Sequence, residues 1–192
     1  MNKRTQHKEQ RRTDILHAGL NLFIRKGYGS TKIADIAKEA NMSMGLLFHY
    51  FASKEKLYEE LIRLGCTGTE LELNNTNGSP LQTLKTATDE ILKNLKDNPT
   101  YAKMFVLMEH AQSNDIIPEA AKAMLSQVNL IQSSIPLISE GQKQGEIREG
   151  NPWALSVAFW CSLQGIAEEI ALHPETPCPE ADWLIDILKN QS

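Results

Sequence analysis

Met44, Gly45, Leu46, Phe48 and His49 fall in one short stretch, and its other members, Leu47 and Phe51, keep the helical period of a core-facing side. Side chains of these types do no covalent chemistry. Turned outward on a helix, they can do recognition chemistry: methyl and ring contacts from Met44 and Phe48, close backbone approach at Gly45, and one imidazole, His49, able to donate or accept a hydrogen bond. Catalysis has no visible seat elsewhere. The chain contains no GxSxG, no phosphate-cradling glycine loop and no paired-carboxylate motif, and His7, His17, His49, His110 and His173 make no HExxH pattern. Cys66, Cys161 and Cys178 are odd in number and lack CxxC spacing, so neither a disulfide framework nor a zinc site is expected. No cofactor and no metal are expected.

The elements that must position those residues lie in residues 31–51. Ile33, Ile36, Ala37 and Ala40 recur at helical spacing, and Ser43, Leu47, Tyr50 and Phe51 repeat that period after a break at Asn41 and Met42. Two helices crossing steeply need a small residue where their axes approach, which Ala37 supplies. The chain must then turn, and Asn41 tolerates a left-handed backbone better than most non-glycine residues. Ser43 suits the N-cap of the second helix, and Thr31 that of the first. This is the spacing of a helix-turn-helix. It also suits a helical hairpin with no DNA role.

Gly27-Tyr28, Thr31, Ile36-Ala37, Ala40, Ser43-Met44-Gly45, Leu47-Phe48, Tyr50-Phe51, Lys54 and Leu57 follow the order and spacing of the amino-terminal domain of TetR-family transcriptional regulators, which residues 11–62 resemble. Three positions depart from the pattern. Asn41 stands where the family most often has glycine, Met42 where it often has valine, and Phe48 where it often has tyrosine. The last removes a phenolic hydroxyl that in relatives can contact DNA. The resemblance implies an all-α, TetR-like protein: a three-helix DNA-binding domain with the helix-turn-helix, followed by a helical ligand-binding and dimerisation domain. It also supports phosphate-gripping positions for Tyr50 and Lys54, while Thr31 is assigned to the backbone from its place at a helix N-terminus. Double-stranded DNA is the expected partner, through Thr31, Lys32, Ser43, Met44, Gly45, Phe48, His49, Tyr50 and Lys54.

Charge is distributed in keeping with that expectation. The 192 residues carry a formal net charge of −4, yet residues 1–60 hold 11 Lys and Arg against 7 Asp and Glu, a net of +4 that leaves −8 to residues 61–192. A basic end on an acidic protein is an electrostatic footprint for nucleic acid. The composition, 41% hydrophobic and 23% charged, is that of an ordinary soluble protein. No apolar run is read as approaching the roughly 20 residues that span a bilayer. The basic amino terminus lacks a signal-peptide core, so the cytoplasm is the default location.

Four segments are expected: a basic arm (1–10), read as mobile, a DNA-binding domain (11–65), a connecting segment rich in Asn, Gly, Ser and Pro (66–80), and an effector-binding and dimerisation domain (81–192). Helices are expected at 81–96, 100–112, 118–144, 152–172 and 179–190, nine or ten in all, with no strands. The helix at 152–172 is apolar almost all round, so it must be covered all round. A second copy of the chain is the expected cover, with 179–190 completing a four-helix interface about a two-fold axis. Tyr101, Met104, Phe105 and Met108 form an i, i+3, i+4, i+7 stripe that suits plain core packing. It also suits the wall of a cavity for an apolar or aromatic effector, shared with Trp153 and Trp160. Two rival functions stand beside the ligand-responsive repressor: a DNA-binding dimer without a small-molecule effector, and a helical enzyme or carrier whose amino-terminal hairpin is structural.

None of Met44, Gly45, Leu46, Phe48 and His49 is Arg, Lys, Asn or Gln, the side chains that bond bidentately to guanine or adenine. Specificity should therefore lean on thymine methyl groups and groove shape. Replacing contacted thymines by uracil in the operator is expected to cost on the order of 1 kcal/mol at each sensitive position. Tolerance of uracil everywhere, beside severe effects of guanine substitutions, would assign base reading to the arm or Lys32 instead.

Overall fold

The computed structural model describes residues 3–68 and 78–190. Among the described residues there are ten helices and no strand: α1 (Lys3–Ser30), α2 (Ile33–Glu39), α3 (Met44–Tyr50), α4 (Lys54–Gly68), α5 (Pro80–Asp97), α6 (Pro99–Gln112), α7 (Glu119–Leu125), α8 (Leu130–Lys143), α9 (Pro152–Leu172) and α10 (Ala181–Ile185). Most of the connecting segment expected at 66–80 lies outside the described residues. The ends of the elements follow from local chemistry. Gly27 breaks α1 with φ 74°, a left-handed conformation that costs a residue without Cβ nothing. Ser43 and Ser53 accept backbone N–H bonds from Leu46 (3.2 Å) and Lys56 (3.3 Å) at the starts of α3 and α4. Asn151 caps α9 through Trp153 N (2.9 Å) and Ala154 N (3.2 Å), just before Pro152.

The chain divides into two compact units that are interleaved in sequence: Met1–Thr67 with Val106–Gln127, and Gly68–Phe105 with Val128–Ser192. Residues 106–127, expected in the second domain, belong with the first unit. In that unit Ile15, Phe23, Ile36, Leu47, Leu57, Leu61 and Ile62 are buried, and α1 approaches α4 closely because Gly19 has no Cβ to meet Leu57. The segment expected as a mobile arm is helical from Lys3, because its polar residues carry no proline or glycine and simply extend α1. Glu60 ties the two helices together. It accepts bonds from Arg63 (2.8 and 2.9 Å) and from Arg12, whose guanidinium also lies 5.4 Å from the centre of the Phe51 ring.

In the second unit α5, α8, α9 and α10 enclose a core of Leu84, Ile91, Ile138, Phe159, Trp160, Leu163 and Leu188. A buried chain of polar groups pins α8 to α9. Trp160 Nε1 donates to Ser134 Oγ (2.9 Å), which lies 2.7 Å from Ser156 Oγ, and Ser156 in turn donates to the Ile131 carbonyl (2.8 Å). Two expected helices differ from the outcome. The span 118–144 breaks at 126–129, where the Asn129 side chain accepts Gln132 N (3.0 Å) and starts a new helix. The span 179–190 shrinks to α10, because the backbone beyond it pairs elsewhere: Arg148 N donates to Leu188 O (2.8 Å), Asn190 N to Glu146 O (2.8 Å), and Ile147 bridges Lys189. Of the apolar residues in this span, Leu184, Ile185 and Leu188 are buried and Trp183 is 63% exposed.

By length and composition alone α9 would cross a bilayer, contrary to the expectation of no such run. One face of it, with Phe159, Trp160, Leu163, Ala167 and Ile170, is packed into the core of its unit. The opposite face, with Trp153, Val157, Ala158, Cys161, Gly165 and Leu172, is exposed within the single chain.

Two stability effects are expected. Ser134→Ala should leave the Trp160 indole N–H buried without an acceptor and cost about 1–3 kcal/mol, read by urea unfolding followed through tryptophan emission. Arg63, and then Arg12, hold the Glu60 carboxyl down at about 2 against the opposing effect of its burial. Because that value lies below the usual 4.5, the stabilisation is complete above the unfolded-state pKa and is lost as pH falls toward 2. Glu60→Gln should therefore be the less stable protein at neutral pH, by about 1 kcal/mol. The difference between the two proteins should close in acid.

Candidate nucleic-acid interface

The candidate surface is built around a helix too short to hold itself. α3 has seven residues, well under the length at which an isolated helix is stable. Leu47, fully buried, and Phe51, 5% exposed, anchor it, and α2 packs on both α1 and α3. The turn that aims it contains Asn41 at φ 52°, and Met42 N donates back to Ala37 O (2.9 Å) at the buried small residue. What remains faces out. Gly45 and His49 are exposed, Leu46 and Phe48 are 38% and 46% exposed, and Met44 and Tyr50 are half-buried at the two ends. The His49 and Tyr50 rings meet edge to face with centres 5.7 Å apart. Leu46 is the second large apolar side chain on this face beside Phe48.

Around α3 the structure redistributes the expected phosphate contacts. Thr31 is 1% exposed, and its hydroxyl donates to the carbonyls of Gly27 (2.7 Å) and Leu22 (3.3 Å). It closes the end of α1 instead of capping α2, and cannot grip a phosphate. The N-cap of α2 is Lys32, exposed and without a side-chain cap. Lys54 Nζ donates to Tyr28 O (2.9 Å) and sits 4.1 Å from the centre of the Tyr28 ring, while the Tyr28 hydroxyl donates to Glu55 (3.1 Å). Sequence reasoning missed this latch between the end of α1 and the start of α4; the signal for it was only a lysine and a glutamate in the first turn of α4. Burial, then the Glu55 hydrogen bond, raises the Tyr28 hydroxyl well above its ordinary range. The Ser53 hydroxyl, foremost, keeps the Glu55 carboxyl low.

Part of the positive charge of this unit is already paired. Lys26 meets Asp35 at 3.2 Å, Arg25 meets Glu39 at 3.7 Å, and Arg12 is held by Glu60. Lys8, Lys32 and Lys38 are exposed, and Arg11 is half-buried. The side chains of Lys3 and Arg4 lie outside the described part of the chain.

The six residues expected to line one effector cavity are not brought together. Tyr101, Phe105 and Trp160 pack in the second core, with the Tyr101 and Phe105 rings 6.4 Å apart, and Met104 is half-exposed. Met108 belongs to the first unit, where its sulfur occupies the space a Cβ on Gly65 would need. Trp153 is 57% exposed on the outer face of α9. The physical reason is that the stripe on α6 serves two cores, because the helix passes from one unit to the other between Phe105 and Val106. Burial raises the thiols of Cys66 and Cys178, and Cys161 is exposed. Among the described residues no cluster of His, Cys, Asp or Glu is suited to a metal.

An outward-facing helix locked behind a left-handed turn, in a helical unit with an excess of basic residues, defines a helix-turn-helix transcriptional regulator. Residues 15–61 match the bacterial regulatory proteins of the tetR family. The match covers the helix-turn-helix segment, in which the chain resembles that family. YfiR of Bacillus subtilis, named an uncharacterized HTH-type transcriptional regulator, is 26% identical over 173 residues, covering 88% of this chain and 83% of the relative. The MbdR regulator from Azoarcus sp. CIB shares the fold with a TM-score of 0.72 at 20% identity, over 94% of this chain and 98% of that one. So does a gamma-butyrolactone receptor described as ArpA-like, with a TM-score of 0.65 at 20% identity and 95% of each chain covered.

The buried hydroxyl of Thr31 yields a direct check. Thr31→Val should lower stability by about 1 kcal/mol through the lost bonds to Gly27 and Leu22, measured by urea unfolding. It should leave the slope of log K for DNA against log salt unchanged, since no phosphate contact is removed. A flattened slope would return Thr31 to the interface.

Proposed function

We propose that the protein is a ligand-responsive transcriptional repressor that binds a palindromic operator as a homodimer. The observation that carries the reading is the exposed apolar face of α3, held in place by the buried Leu47 behind it. Each subunit lays Ser43, Met44, Gly45, Phe48 and His49 into a major groove, with Lys32, Tyr50 and the outward donors of the Lys54 ammonium on the flanking phosphates. The dimer forms through the exposed face of α9, with Trp183 of α10 adding to it. This replaces a four-helix interface that a full-length helix at 179–190 would have supplied. Exposed large apolar residues on the same unit, Trp153, Val157, Leu172 and Trp183, support that assignment. A small apolar or aromatic effector enters the second unit near Tyr101, Met104 and Phe105 and favours a dimer whose recognition helices no longer match the half-site spacing. The relative named as a gamma-butyrolactone receptor supports responsiveness to a small molecule. Acting on DNA, the protein works in the cytoplasm.

The test has two arms. In gel shifts on the protein's own upstream DNA, Phe48→Ala should lose at least about tenfold in affinity, the effect of roughly 1.4 kcal/mol. Gly165→Arg places a charge on an open part of α9 and should give a folded monomer by light scattering. A folded dimer in that variant places the interface elsewhere, and an unshifted upstream fragment removes the repressor reading.

A further inference from the structure

Within the first unit, a cavity of about 350 Å³ opens beside the end of α1, outside the surfaces so far assigned to DNA, dimer and effector. Its apolar wall is Phe23, Tyr28, Tyr58 and Leu107. The three rings touch one another, with centres 5.0 Å apart for Phe23 and Tyr58, 5.9 Å for Phe23 and Tyr28, and 4.7 Å for Tyr28 and Tyr58. The opposite rim is polar: His110, Ser113, Asn114 and Asp115, from the end of α6 and the connection that follows it. That connection is held in place by its own bonds, Ser113 Oγ to Glu109 O (3.3 Å) and Ile116 N to Asn114 Oδ1 (3.0 Å). The size and the mixed lining are those of a small-molecule site.

The charges around the cavity select the ligand. Asp115 is exposed at the rim, and among the described residues no salt bridge engages it. His110 lies 3.8 Å from Glu109, which adds a second carboxylate on the α6 side. Behind the aromatic wall, Glu55 accepts from the Tyr28 hydroxyl. Lys54 Nζ donates to the Tyr28 carbonyl and lies 4.1 Å from the centre of the Tyr28 ring, which shows the attraction of that ring for an ammonium group. We propose that this cavity binds a small organic cation, its ammonium group paired with Asp115 and its apolar body laid along the Tyr28 and Tyr58 wall. The occupant joins the end of α1 and the middle of α4 to the connection after α6. The site is independent of the effector assigned to the second unit.

The chain has four tyrosines, Tyr28, Tyr50, Tyr58 and Tyr101, so ring-labelled tyrosine gives four reporters, two of them on the cavity wall. Tyr28→Phe and Tyr58→Phe serve for assignment. The full-length protein is titrated with 2-phenylethylammonium, with neutral 2-phenylethanol and with anionic 3-phenylpropionate. The ammonium should shift Tyr28 and Tyr58, leave Tyr50 and Tyr101 in place, and saturate near 1 mM, roughly what a ligand of about nine heavy atoms achieves. Asp115→Asn, at an exposed position, should weaken it about tenfold and remove its advantage over the alcohol. Ser113→Trp, also exposed, should block the cavity and abolish the shifts. Any of three results overturns the proposal: no movement of Tyr28 or Tyr58 with the ammonium, equal binding in Asp115→Asn, or movement of Tyr101 alone, which would seat the cation in the second unit.

Discussion

The outward face of α3 depends on one buried side chain. α3 is too short to be helical on its own, and Leu47, fully buried, ties it to the unit. With Leu47 and Phe51 facing inward, the helical period leaves Gly45, Leu46, Phe48 and His49 no direction except outward. The left-handed Asn41 sets the angle at which this happens, and the Ser43 cap sets where it starts. Recognition and packing are thus two sides of the same seven residues, so the surface cannot be altered at Leu47 or Phe51 without loosening its own support.

The second unit solves a different problem. Its core closes on one side of α9 and leaves the other side apolar and open, while Trp160 is oriented by the Ser134 and Ser156 hydroxyls at its back. A fully apolar core at that point would allow α8 and α9 to slide along each other. The buried hydroxyl chain permits one register, at the cost of three polar groups that must all be satisfied together.

Local signals in the sequence were read well where one residue type has one physical use. Asn41 at positive φ and the Ser43 cap stand where spacing placed them. Failures came where a residue had two plausible partners. Thr31 looked like a cap for the helix after it and instead bonds to the helix before it, since a hydroxyl can turn to either. The stripe Tyr101, Met104, Phe105 and Met108 has perfect helical period, but period says only which residues share a face, not that one core receives them all. The helix at 179–190 was lost to backbone pairing with residues 146–148, and nothing in its own sequence announces a partner about forty residues away.

The route of α6 bears on how the molecule can be taken apart. Because Val106–Gln127 belongs with the amino-terminal segment, a gene fragment ending at residue 67 would encode the whole helix-turn-helix and still lack part of its fold. Met108 would no longer fill the space beside Gly65, and Leu107 would leave Tyr58 without its neighbour across the cavity. The reading head is therefore not a detachable module. Grafting it onto another protein would require carrying a distant piece of chain along with it, and a chimera spliced in the connecting segment begins with a hole in its core.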